Sequence, residues 1–317
     1  MSVRATLAGL KSFVSSAAPA EANVGGVSAR YGYAVWMRHV VCARDFGLTG
    51  IPEVVAELGP GNALGVGIAA LLCGASRYYA LDVVAYTSPQ DNVAMVHELV
   101  ELLQTGASIP DAREFPEILP QLENYAFPRN IVTEAALARS LRPKRVEAIL
   151  AAFREPGVNV DCDGEAIRAQ YSVPWNESRV IERNSVDFLV SQAAMEHVED
   201  LRSAYKAMME WLKPGGITTH QVDFRCHYTA DEWNGHWAYN DLHWRVIKGK
   251  RPYLLNREAL SGQLRYAVEA GFEVLGSINQ TSREGIGRDS LAKRFRSLSD
   301  LDLETKSAFI ALRKPAD

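Results

Sequence analysis

Cysteine is scarce: four residues in 317, and no two of them form a CxxC pair. Zinc ribbons and thioredoxin-like redox motifs are therefore excluded. The scattered Cys42, Cys73, Cys162 and Cys226 fit a reducing compartment. Long apolar runs are missing too. No stretch approaches the ~18 residues of a membrane span, and no apolar block opens the chain. A cytoplasmic protein without membrane contact is expected. Charge of one sign is also lacking, since 34 basic against 38 acidic residues leave a formal −4. That balance disfavours a nucleic-acid coat or a polybasic membrane binder. There is no internal repeat and no low-complexity tract.

What is present is an alternating α/β grammar. Residues 1–28 are rich in Ala, Ser and Gly and read as a poorly ordered leader. Residues 30–47 read as a helix packed on the main domain, so 1–50 form an N-terminal segment and 51–317 the domain itself. Residues 53–58 form a short apolar strand, followed by a glycine turn, a buried helix and a second strand at 77–82. A helix over 92–103 completes a βαβα beginning, which points to a parallel sheet covered by helices. Six prolines punctuate 106–160. With helical stretches between them, they mark an insertion read as a cap over the sheet, because αβ connections usually take about 2–6 residues. Strands resume at 166–173, 186–191 and 217–224. After an aromatic, histidine-rich region at 225–256 come a helix over 257–270 and two last strands.

The first strand runs into Glu57-Leu58-Gly59-Pro60-Gly61-Asn62-Ala63-Leu64-Gly65. Glycines let a ligand approach the backbone and allow positive φ. The spacing is one residue longer than the dinucleotide fingerprint, and no Lys-Ser/Thr follows to make a P-loop. Asp82 ends the neighbouring strand, where a carboxylate accepts ribose hydroxyl protons.

Taken in order, these pieces resemble the class I S-adenosylmethionine-dependent methyltransferases. Glu57 to Gly61 looks like that family's first motif, and Asp82 like its ribose acid. Residues 186–198 (VDFLVSQAAMEHV) look like its fourth strand and the following segment. Leu212-Lys213-Pro214-Gly215-Gly216 looks like the turn before its fifth strand. The resemblance implies a Rossmann-like seven-stranded sheet with the last strand antiparallel, and S-adenosylmethionine as cofactor. It implies cofactor contacts at Glu57, Gly59, Gly61, Asp82, Val83 and Gln192. The third strand ends without the acid that often meets the adenine amine, so Ser172 and Val173 are expected to contact the ring. Residues 33–39, 78–82 and 220–224 also look like a bacterial subgroup that accompanies cell-surface polysaccharide genes, which leans toward a small or glycan-like acceptor.

Methyl transfer to oxygen requires alignment, exclusion of water and removal of a proton. In doubly wound sheets, ligands lie beyond the carboxyl ends of the strands. Four of the seven histidines fall between 220 and 243. His227, Asp223 and His220 are the candidate bases. His220 and Asp223 are an odd number apart and should face opposite sides of a regular strand. His197 is expected to support the cofactor loop. The His220-x-x-Asp223-x-x-x-His227 spacing lacks a helical HxxxH face, so no metal is expected. Trp233, Trp237 and Tyr239 offer sugar-stacking faces, and Arg251 an anion contact. Two other classes share some of these features: an NAD-dependent oxidoreductase and a non-catalytic protein keeping the fold. The absence of an Asn-Pro-Pro-Tyr-type motif after the fourth strand speaks against nucleic acid as the acceptor.

Overall fold

The computed structural model describes residues 2–14, 28–175 and 178–316. Helix α1 (Val3–Val14) opens it, followed by α2 (Ala29–Asp45), whose first turn is capped by the Ser28 side chain accepting from the Tyr31 N–H. The leader is thus helical over 3–14, contrary to expectation; residues 15–27 lie outside the described residues. Strand β1 (Val54–Leu58) is buried along its whole length, as is α3 (Gly65–Cys73). Next come β2 (Arg77–Leu81) and α4 (Pro89–Thr105), the latter capped by Ser88 and closed by left-handed Gly106. Helices α5 (Glu134–Ser140) and α6 (Pro143–Arg154) precede β3 (Val160–Cys162) and β4 (Glu165–Ser172). Then follow β5 (Val186–Gln192), α7 (Leu201–Trp211), β6 (Leu212–Asp223) and α8 (Asp241–Lys248). The chain ends with α9 (Leu260–Ala270), β7 (Glu273–Thr281), α10 (Asp300–Glu304) and β8 (Thr305–Arg313).

The sheet has eight strands in the order β3-β4-β2-β1-β5-β6-β8-β7. Strands β4, β2, β1, β5 and β6 are parallel, and β8 runs antiparallel to both β6 and β7. The expected seven strands are present. The eighth is β3, a short edge strand antiparallel to β4. The Lys213–Gly216 turn is absorbed into β6, which pairs with β5 across an irregularity between Val186 and Phe188. Strand order reverses at β1, with β2 on one side and β5 on the other, and this opens a crevice at its carboxyl end.

Alternation along β1 separates two cores. Val55 joins the cluster under α2, α3, α4 and α6, whereas Val54 and Ala56 join the cluster under α7 and α9. The 106–160 segment covers one face of the sheet, with α6 packed on β3 and β4. Its Ile109, Ile118, Phe127 and Val132 are buried in the first of these cores. The Arg38 guanidinium fastens it to α2 by donating to the Pro110 and Pro120 carbonyls at 2.7 and 3.2 Å. A buried cation needs such acceptors, which is why the loop is held on the helix layer rather than over the site.

Candidate active site

A cleft of about 2350 Å³ opens beyond the carboxyl ends of the parallel strands. One end is built by the glycine turn. Gly59 and Gly61 hold φ of +73° and +68°. A Cβ on Gly59 would come within 2.6 Å of the Ala194 Cβ, so glycine is required there both for conformation and for space. Asp82 lies across the turn, its Oδ2 accepting from the Gly61 N–H at 3.1 Å and its Oδ1 from the Val83 N–H at 2.7 Å. Burial raises the Asp82 pKa, opposed by the backbone N–H groups of Val83, Gly61 and Val84. Glu57 is more deeply buried, and burial pushes it up to about 8 against the hydrogen bond from Tyr78.

Gln192 closes this end beside β5. Its Oε1 meets His39 Nε2 at 3.2 Å, and its amide donates to Gln221 at 3.2 Å. Val83 also lines the cleft. Ser172 and Val173 do not: the Ser172 carbonyl is taken by the Asp82 N–H and its hydroxyl by Gln170. Trp175 and Tyr86 do line the cleft.

The other end holds Asp223 and His227. His227 sits at φ +43°, followed by Tyr228 at +64°, and this left-handed pair turns the imidazole back over β6. His227 Nε2 lies 3.1 Å from Asp223 Oδ2. Arg225 grips the same carboxylate with two nitrogens, at 2.6 and 2.9 Å. Burial would raise Asp223, but His227 and Arg225 hold it well below the usual carboxylate range. An ionised carboxylate only accepts, so His227 carries a proton on the Nε2 that faces Asp223.

His220 belongs to the core, not the site. It is fully buried, bonded to Ser191 and Thr218 hydroxyls at 2.8 and 2.9 Å, and burial lowers it to about 3. Trp237 and Tyr239 are likewise structural. Trp237 packs on Phe295 and donates to the Arg257 carbonyl at 3.0 Å. Tyr239 stacks on Trp244 and donates to the Thr229 carbonyl at 2.9 Å. Trp233 and Arg251 do line the cleft.

Sequence reasoning gave no site role to Glu196, to Tyr31 of α2 or to helix α1. The turn Met195–His197 is pinned from residue 256: Asn256 donates to the carbonyls of Met195, Val198 and Glu196 at 2.8–2.9 Å. This drives the Glu196 side chain inward. Among the described residues neither of its oxygens completes a hydrogen bond, although the backbone N–H groups of Glu196 and Asp223 face it. Burial, then the Asp223 charge, raise its pKa far above the ordinary value. His197 Nδ1 bonds the Tyr253 carbonyl at 2.7 Å and its ring lies 5.2 Å from that of His227. Burial and the His227 charge lower it to about 4. Helix α1 contributes Ala8, Lys11 and Phe13 to the rim.

Residues 160–219, from β3 to the middle of β6, match the family described as methyltransferase domain. This segment of the chain is therefore similar to methyltransferase domains. Solved structures with similar folds include a SAM-dependent methyltransferase from Methanosarcina mazei, at 12% identity and a TM-score of 0.44, covering 87% of this chain and 98% of that one. Another is an S-adenosylmethionine-dependent methyltransferase from Mesorhizobium loti, at 14% identity and 0.41, with coverages of 90% and 99%. A third is phosphoethanolamine N-methyltransferase 2 from Haemonchus contortus, in complex with S-adenosyl-L-methionine, at 14% identity and 0.43, with coverages of 93% and 59%. Among curated proteins none matches the sequence. The glycine turn and Asp82 lie outside this matched segment, at one end of the cleft.

Proposed function

We propose that this protein is an S-adenosylmethionine-dependent methyltransferase acting on a hydroxyl of a small or glycan-like acceptor. The observation that carries the reading is the Asp223–His227 pair at the end of the cleft opposite Asp82. The cofactor supplies the activated methyl group when bound. Asp82 would accept from the ribose hydroxyls, and Glu57, Gly59, Gly61, Val83 and Gln192 would enclose the rest. His227, oriented by Asp223 and Arg225, would take the acceptor proton on Nδ1 as the oxygen attacks. Trp233 offers a stacking face, and Arg251 with neighbouring Lys250 would hold an acidic group such as a uronate. The acceptor wall is therefore drawn from 225–256 and from α1. The 106–160 segment contributes only Glu117 among the described residues.

The test is product formation with S-adenosylmethionine and a panel of monosaccharides, uronates, phenols and amines, located by mass spectrometry and NMR. O-methylated product, slowed by His227→Ala, supports the reading. Methylation of nitrogen alone, or a His227→Ala rate equal to the parent's, would overturn it.

A further inference from the structure

We propose that Glu196, Asp223 and His227 form a divalent-cation site at the acceptor end of the cleft, fitted to Mn2+ or a similar first-row ion. One carboxylate oxygen from each acid and one imidazole nitrogen all lie within 4.8 Å of one another. Donors around a single ion at about 2.1–2.4 Å can be no more than about 4.8 Å apart, so this spacing suits one ion. Two carboxylates and an imidazole are a hard-to-borderline donor set, which suits Mn2+, Fe2+ or Zn2+ better than a thiol-seeking metal.

Glu196 supplies the independent reason. It is only 3% exposed, yet both of its oxygens lack a completed hydrogen bond among the described residues. An orphaned buried carboxyl is costly, and native structures keep one chiefly where something else satisfies it. Arg225 does not satisfy it, because its guanidinium is spent on Asp223. The Asn256 bonds fix the backbone on either side of Glu196, so its side chain is held pointing at the other two donors.

This inference rests on the oxygen-acceptor reading and changes one role in it. With an ion present, His227 Nε2 becomes a ligand and its proton moves to Nδ1. An ion there would hold the acceptor oxygen and lower its pKa, so that the acceptor proton could pass to bulk water instead of to His227.

The experiment is Mn2+ binding to chelator-stripped full-length protein, read by loss of the free-ion EPR signal, with S-adenosylmethionine binding measured on the same samples. The parent is expected to bind one Mn2+ per chain. Glu196→Gln, which keeps size and shape, and His227→Ala should each weaken this by at least about 10-fold, while cofactor binding is retained. No Mn2+ binding by the parent at millimolar ion, or unchanged binding in Glu196→Gln, would overturn the site. Failure of the oxygen-acceptor reading is visible separately, as nitrogen-methylated product whatever the ion does.

Discussion

The Tyr78 hydroxyl, on β2, donates to Glu57 Oε2, on β1, at 2.5 Å, with its ring lying over Gly67 of α3. A Cβ at Gly67 would sit 2.1 Å from that ring, so the glycine makes room for the tyrosine that holds the acid. Glu57 is thereby kept buried at the glycine-turn end of the cleft, without a cationic partner among its described contacts.

Glu57 should make stability and cofactor binding depend on pH. Folding keeps its proton to about pH 8, whereas the unfolded chain releases it near 4.5. The unfolded state therefore binds fewer protons in that window, and this group's contribution to stability falls as pH rises through it. In Glu57→Gln that loss disappears, a difference on the order of a few kcal/mol between the two ends of the window. Thermal melts of both proteins from pH 5 to 8 check it. The cationic cofactor should favour the ionised carboxyl and release a proton on binding near pH 7, measurable as a buffer-dependent calorimetric enthalpy.

Asp82→Ala should cost cofactor affinity while leaving the fold intact. Hydrogen bonds to a charged group contribute roughly 1.5–3 kcal/mol each, so losing the ribose contacts should weaken binding by about two orders of magnitude. Calorimetric titration with S-adenosylmethionine, with NAD as control, measures it. Parent-like affinity in the variant would remove Asp82 from the site.

His227→Ala and Asp223→Asn should lower kcat with little change in cofactor Kd. Loss of a positioned base typically costs about 10²–10⁴-fold. Asp223→Asn should retain part of the activity, because the imidazole remains but has lost the charge that orients it. Steady-state kinetics beside cofactor binding separates this outcome from misfolding.

The two tryptophans of the 225–256 region should behave differently. Trp237 is fully buried, and Trp237→Ala should destabilise the protein by about 3–5 kcal/mol, seen in the denaturant midpoint. Trp233 lines the cleft, so Trp233→Ala should chiefly raise the acceptor KM. Equal effects of both on stability, with none on KM, would end the stacking role of Trp233.

Helix α1 should be separable from the core. A Cβ at Gly9 would fall 1.9 Å from the Val246 carbonyl oxygen on α8, and Thr6 bonds His243 at 3.0 Å nearby. Gly9→Val should therefore lift the helix off α8, at about 1–3 kcal/mol. Faster limited proteolysis near the N-terminus, with cofactor affinity preserved, is the expected result.

The sheet and the glycine-turn end of the cleft were legible in the sequence because their signals are local. A buried β1, a glycine turn and an acid at the next strand end lie within about thirty residues of one another, and strand alternation dictates which side chains share a face. The same parity put His220 and Asp223 on opposite faces of β6, one in the core and one at the cleft. The acceptor end had no such local code. Which aromatic residues reach the cleft depends on the carbonyls they find in the fold: Arg257 receives Trp237, Thr229 receives Tyr239, and the more distant Glu284 receives Trp233. The inward aim of Glu196 depends on Asn256, some sixty residues away. Helix α1 finds its place against α8, with Thr6 bonded to His243, 237 residues further along the chain. Local periodicity thus determined the scaffold, while long-range hydrogen bonding and close packing decided which polar groups meet in the cleft.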